Sequence, residues 1–179
     1  MDHTHVLAVF HRYRATTSKA RKSSLVRNAC LALEVHAQLE EEIFYPALRE
    51  LGAGDELLEK SVPEHAEMRR LIARLRSSQP GEPDFDETFF ALMRTVIHHV
   101  ADEESVLLPL AERRLADRLS ELGGQMTRRR MQLLAPHGRE LVITTLQSFP
   151  VLATAFGGIV LAIAALLMNG RSQHLLRRT

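Results

Sequence analysis

The sequence predicts an all-α fold: an up-down-up-down four-helix bundle followed by a C-terminal transmembrane helix candidate. Apolar residues recur at alternating steps of three and four through four stretches, strand-type alternation is hard to find, and one late segment is predominantly apolar over a bilayer-spanning length. A chain of 179 residues suits one compact domain with an appendage.

Turn signals near Thr16–Ser18, at Gly52–Asp55, across Ser77–Pro83 and at Gly123-Gly124 separate the stretches. Short loops of this kind join antiparallel neighbours. The first stripe carries His3, Val6, Phe10 and Tyr13, and the second Val26, Ala29, Leu33, His36, Glu40, Ile43 and Ala47. The third is somewhat less regular, with Leu58, Val62, His65, Met68, Ile72 and Leu75; the fourth runs Phe85, Phe89, Leu92, Val96, His99, Glu103, Val106 and Leu110. Each stripe lies on one helix face and is built for burial against neighbours crossing at about 20°. Each also places one histidine inward, and the second and fourth add a glutamate.

The second and fourth stretches align without a gap around those polar breaks. His36-Ala37-Gln38-Leu39-Glu40-Glu41 leads to Pro46, and His99-Val100-Ala101-Asp102-Glu103-Glu104 leads to Pro109. With each residue type used at about 5%, two Glu and one Pro at fixed offsets from a given His have odds on the order of 10⁻⁴. Residues four apart are stacked neighbours on a helix, so each His-xxx-Glu pair reaches one metal centre from one backbone segment. A hydrogen-bonded core pair is the simpler reading of one such pair alone. Four inward histidines and two inward carboxylates make a shared cation the better account, because burying them without a strong partner is costly. Imidazole and carboxylate donors without thiolate favour iron or manganese, with iron first and zinc still open.

These residues resemble the hemerythrin-like, HHE cation-binding family, whose pattern is matched by Asp2-His3, by His36 with Glu40 and Pro46, by Glu64-His65, and by His99 with Glu103 and Pro109. The resemblance covers about residues 1–122, with all four parts in order. It implies metal ligands His3, His36, Glu40, His65, His99 and Glu103, with Glu40 and Glu103 bridging two iron ions that share an oxo or hydroxo group. His5 is the alternative first ligand, although Val6 and Phe10 fit the family spacing from His3 better. The oxygen-carrying branch has a second histidine on the third helix where this chain has Arg69. That departure points toward the family's iron sensors and the bacterial forms that react with peroxide or nitric oxide. It leaves room for water or a further carboxylate, Glu64 or Glu41. The expected function is to bind or reduce a small oxidant (dioxygen, peroxide or nitric oxide), as a peroxidase-like, catalase-like or nitric-oxide-handling oxidoreductase if there is turnover. The alternative is an iron or oxygen sensor, or a binding module without turnover.

Other side chains have plainer readings. A formal charge of +1 gives no electrostatic bias toward nucleic acid, so no nucleic-acid partner is expected. Cys30, alone, forms no internal disulfide or thiolate cluster and reads as a small buried hydrophobe. His98 reads as a surface residue or a support to a ligand. Tyr13 and Tyr45 read as core, with a hydrogen bond to a ligand as the sharper alternative. Half of the run Glu40 to Glu42 is explained by a solvated face.

The expected organisation is a bundle over 1–122, a basic linker over 123–140, an apolar segment over 141–170 and a basic tail over 171–179. From Leu141 to Gly170 there is no charged residue, and 20 predominantly apolar residues at 1.5 Å each span about 30 Å, a bilayer core. Ala153, Gly157, Gly158 and Ala162 form small-xxx-small pairs suited to close packing with a second copy, hence a homo-oligomer. The alternative is a fifth helix buried in protein. Arginines flank both sides, so charge does not set orientation. The N-terminus lacks the order of a secretory signal, so the expectation is a cytoplasmic bundle tethered by its tail, with a soluble cytoplasmic protein as the alternative.

Overall fold

A computed structural model of the chain describes residues 3–14, 16–52 and 55–138. The stripes fold into helices α1 (Thr4–Arg12), α2 (Lys19–Leu39), α3 (Tyr45–Arg49), α4 (Asp55–Arg76), α5 (Phe85–Asp102), α6 (Leu108–Arg114) and α7 (Leu119–Leu134). No β-strand occurs among the described residues. One π turn, Glu40–Phe44, joins α2 to α3, and another, Glu103–Leu107, joins α5 to α6. Among the described residues the result is five helical rods: α1, α2-α3, α4, α5-α6 and α7. Three expected breaks stand, at Thr16–Ser18, around Gly52 and through Ser77–Pro83. Gly52 has φ +58°, the left-handed conformation that glycine adopts at little cost just past a helix.

Among the described residues, the two larger apolar clusters sit at either end of the bundle. One joins Val9 and Phe10 of α1, Leu25 and Leu33 of α2, Met68 and Ile72 of α4, and Phe89 and Leu92 of α5. The other joins Phe44, Leu48, Leu58, Leu107, Leu115 and Leu122. Between them, along the same helices, lie the polar breaks of the stripes. Tyr13 belongs to the first core, packing on Phe89 while its hydroxyl donates to Asp86, which also accepts from Lys22 at 2.5 Å.

The fourth expected break does not form. Helix α7 runs through Gly123 and Gly124, covering much of the stretch expected as a linker and adding a fifth rod to the expected four. Two glycines cost a helix about 1 kcal/mol each, and packing opposes that cost. Met126, Leu133 and Leu134 lie against Leu31, Val35 and Leu39 of α2, and Arg129 forms a two-pronged pair with Glu42 at 2.7 and 3.0 Å. Among the described residues no helix is long and apolar enough to cross a membrane. The candidate membrane segment 141–170 and the tail 171–179 lie outside the described residues.

The π turns shift the stripes by one residue. In each, the fifth backbone N–H returns to the carbonyl of the glutamate that opens the turn: Tyr45 to Glu40, and Leu108 to Glu103. One extra residue rotates everything beyond it by about 100° relative to an uninterrupted α-helix. Phe44 and Leu48 therefore lead the buried face after Glu40, and Leu107 and Ala111 replace Val106 and Leu110 after Glu103. The prolines supply the local reason. Pro46 and Pro109 have no N–H to return to an α-helical carbonyl and crowd the preceding turn, so the backbone widens just ahead of them. In α4, the inward position taken as Val62 belongs to Ser61, whose hydroxyl donates to the Leu57 carbonyl at 3.0 Å.

Val106 and Leu107 therefore make a sharp pair, at 47% and 1% exposed. Leu107→Ala is expected to cost about 2–5 kcal/mol and Val106→Ala under about 0.5 kcal/mol, measured by chemical denaturation. The reverse order would restore the uninterrupted stripe.

Candidate metal centre

All six candidate ligands of the sequence reading are buried and meet in the layer between the two cores. Histidine and glutamate donor atoms form two groups, each with its atoms within 4.8 Å of one another. The first comprises His3, His36, Glu40 and Glu103, and the second Glu40, His65 and His99. Glu40 belongs to both. Its Oε1 lies 3.0 Å from His36 Nε2, while Oε2 lies 3.2 Å from His65 Nε2 and 3.6 Å from His99 Nε2. Glu103 Oε2 lies 3.1 Å from His3 Nε2 and 3.6 Å from His36 Nε2.

Carboxylates elsewhere hold the imidazole rings from behind. His3 Nδ1 donates to Glu104 at 2.9 Å, His65 Nδ1 to Glu41 at 2.8 Å and His99 Nδ1 to Glu64 at 2.9 Å. An ionised carboxylate only accepts, so Nδ1 carries a proton and each Nε2 faces the centre, where its lone pair is available to a cation when the ring is neutral. His3 Nε2, His36 Nε2, Glu40 Oε1 and Glu103 Oε2 are buried without a hydrogen-bond partner. These are the facing atoms of the first group, and neutral imidazoles and carboxylates that converge this way call for a shared electrophile, a proton or a cation. The residues present therefore fit a cation.

The adjacent glutamates acquire separate jobs that the sequence reading left open. Glu41 and Glu64, considered there as extra ligands, lie outside both groups and take imidazole Nδ1–H bonds. Arg69 clamps the other oxygen of Glu41 at 2.6 Å, so the residue in place of a histidine steadies His65 from a distance. Glu42 reaches α7 and Glu104 reaches α1. The signal was the doubled Glu-Glu in both motifs; what it lacked was knowledge of which rod each second glutamate faces. His98 is exposed, as its position off the stripe implied. Cys30 is buried, which pushes its thiol pKa up to about 12. Tyr45, by contrast, is more than core filling. Its hydroxyl lies 3.2 Å from Glu40 Oε2, 3.4 Å from Glu103 Oε1 and 3.5 Å from His65 Nε2, and its ring stacks on His65.

Sequence comparison places the stretch that carries these donors in a known family. A family model described as Hemerythrin HHE cation binding domain matches residues 1–111. The chain belongs to that family. A relative described as a DNA nickase, from Nostoc sp. (strain PCC 7120 / SAG 25.82 / UTEX 2576), is 29% identical over 122 residues, covering 68% of this chain and 34% of that protein. The chain thus spans about a third of that relative's length. No solved structure gives a significant match. The matched domain is a cation-binding module, and the six expected ligand positions converge within it.

Without a cation, the layer is strongly polarised. Burial disfavours the imidazolium of His36, but the carboxylates of Glu40 and Glu103 outweigh it and push its pKa up to about 9. Burial likewise opposes charge on Glu40, yet His36, His65 and His99 hold its carboxyl well below the usual range. His36 therefore contributes stability that is complete below its ordinary value of 6.5 and is lost as pH rises through about 9. Glu40 contributes stability present above its ordinary 4.5 and lost on acidification. The cation-free protein is expected to melt highest between pH 4.5 and 6.5. Cation binding needs neutral imidazoles, so loading should release protons and move that optimum to higher pH. Thermal melts across pH with chelator and with metal check this; coincident profiles would contradict it.

Proposed function

We propose that this chain is a non-haem di-iron protein that binds or reduces a small oxidant: dioxygen, peroxide or nitric oxide. The observation that carries the reading is the pair of donor groups sharing Glu40, with lone pairs aimed inward and no hydrogen-bond partner for four of the facing atoms. His3, His36, Glu40 and Glu103 would hold one iron, and Glu40, His65 and His99 the other, with Glu40 between them. Bound iron would supply an open coordination position and electrons to the oxidant.

The chain's own residues set the conditions for that chemistry. Glu41, Glu64 and Glu104 keep three rings in one tautomer and orientation and strengthen them as donors. Leu33 and Val96, a turn before His36 and His99, and Phe44 and Leu107, a turn beyond Glu40 and Glu103, are buried and exclude water along the layer. A small diatomic or peroxide suits so closed a site better than a bulky substrate. A second reading, an iron or oxygen sensor without turnover, is favoured by the spread of donors. They come from four rods, so loss of metal would loosen α1, α2, α4 and α5 together.

Anaerobic loading with ferrous iron should give about two ions per chain, and air, peroxide or nitric oxide should then change the optical spectrum. Glu40→Ala should lose both ions, because both groups share that carboxylate; loss of one ion alone would contradict the shared site. Sustained consumption of peroxide or nitric oxide selects the enzyme, and binding without consumption selects the sensor.

The apolar run 141–170 supports tethering of this module to a membrane. The full chain should float with phospholipid vesicles and a chain ending at residue 138 should not. Equal behaviour of the two would remove the tether from the reading.

A further inference from the structure

The two donor groups are unequal. The first has four histidine and glutamate donors and the second three. Beside the poorer group lies the hydroxyl of Tyr45, which also faces Glu103 Oε1 at 3.4 Å. Its distances of 3.2 Å to Glu40 Oε2 and 3.5 Å to His65 Nε2 match the spacing among the donors themselves, such as 3.2 Å between His65 Nε2 and His99 Nε2. Donors bound at about 2.1 Å to one cation lie about 3.0–3.4 Å apart in octahedral or tetrahedral arrangements.

The backbone reason is local. In a continuous α-helix a residue five after Glu40 would stand about 140° around the axis. The π turn returns the Tyr45 N–H to the Glu40 carbonyl and brings Tyr45 back over the glutamate, onto the face of the donors. The equivalent position of the second motif copy is Leu108, which has no donor. The tyrosine therefore breaks the near-symmetry of the two copies at one cation position only. Its ring, stacked on His65 with centroids 5.7 Å apart and an 18° tilt, has little room to swing away.

We propose that Tyr45 is a ligand of the second cation position, its phenolic oxygen joining Glu40, His65 and His99 as a fourth donor. This rests on the di-iron reading above. Coordination to ferric iron replaces the O–H bond with an iron–oxygen bond and releases the proton to solvent. No redox step is involved.

The test compares the full-length wild type, Tyr45→Phe and Tyr45→His after ferric loading, with ions counted per chain, visible spectra recorded, and Raman spectra excited in any visible band. The expected wild type holds two ions, with a visible phenolate-to-iron band and enhanced tyrosine ring modes. Tyr45→Phe is expected to lose band and ring modes and to hold one of its two ions about tenfold or more weakly. Tyr45→His should recover the second ion without the band, which separates lost ligation from misfolding. A Tyr45→Phe protein with two ions held as tightly and a spectrum like the wild type's would overturn the assignment while leaving the di-iron reading intact. So would a two-ion wild type without phenolate ring modes, since a tyrosine that merely hydrogen-bonds Glu40 gives none. A wild type that binds no pair of ions would overturn both.

Discussion

Four imidazoles and two carboxylates buried in one layer of a helical bundle create a demand that the surrounding protein cannot meet by itself. When the imidazoles are neutral their inward lone pairs repel one another, and each group has given up water to be there. Elsewhere in the bundle the chain follows ordinary rules, with apolar stripes closing two cores. At this layer the stripes are interrupted in register on α1, α2, α4 and α5, so that the donors converge instead of being scattered. A bound cation would relieve the repulsion and replace the lost solvation, tying the stability of the rods to its presence.

The carboxylates around this layer divide the work. Glu40 and Glu103 face inward, whereas the residue after each faces outward to a histidine from another rod: Glu41 to His65 of α4, and Glu104 to His3 at the start of α1. Glu64 completes the pattern from α4 to His99 of α5. The bonds that aim the rings are therefore also bonds between rods. His3 illustrates the gain, because the side chain of the first described residue is held by two carboxylates of the α5-α6 rod. Arg69 and Arg129 extend the same logic outward, one steadying Glu41 and the other fastening α7 through Glu42.

The π turns connect this chemistry to the fold. Each begins at an inward glutamate and ends just before the proline-containing segment, so one local widening settles the buried face of the following helix and what stands above the glutamate. Tyr45 and Leu108 occupy that place in the two copies, and their difference separates two halves built from one motif.

Much of this was legible in the residues alone. Periodicity marks α1, α2, α4 and α5 because a helix that buries one face must repeat near 3.6 residues, and the six polar breaks stand out because they violate that repeat at matched positions. Membership of the HHE family follows from the same residues and from the comparison. The tertiary structure decided the rest. Which residues face inward beyond Glu40 and Glu103 depends on backbone hydrogen bonds that a proline perturbs but does not spell out. That a helix persists through Gly123 and Gly124 depends on the α2 surface it meets. The roles of Glu41, Glu64, Glu104 and Tyr45 depend on neighbours 5 to 101 residues away in sequence. Local pattern determines which side chains a helix buries; only the packing of one rod on another determines what each of them touches.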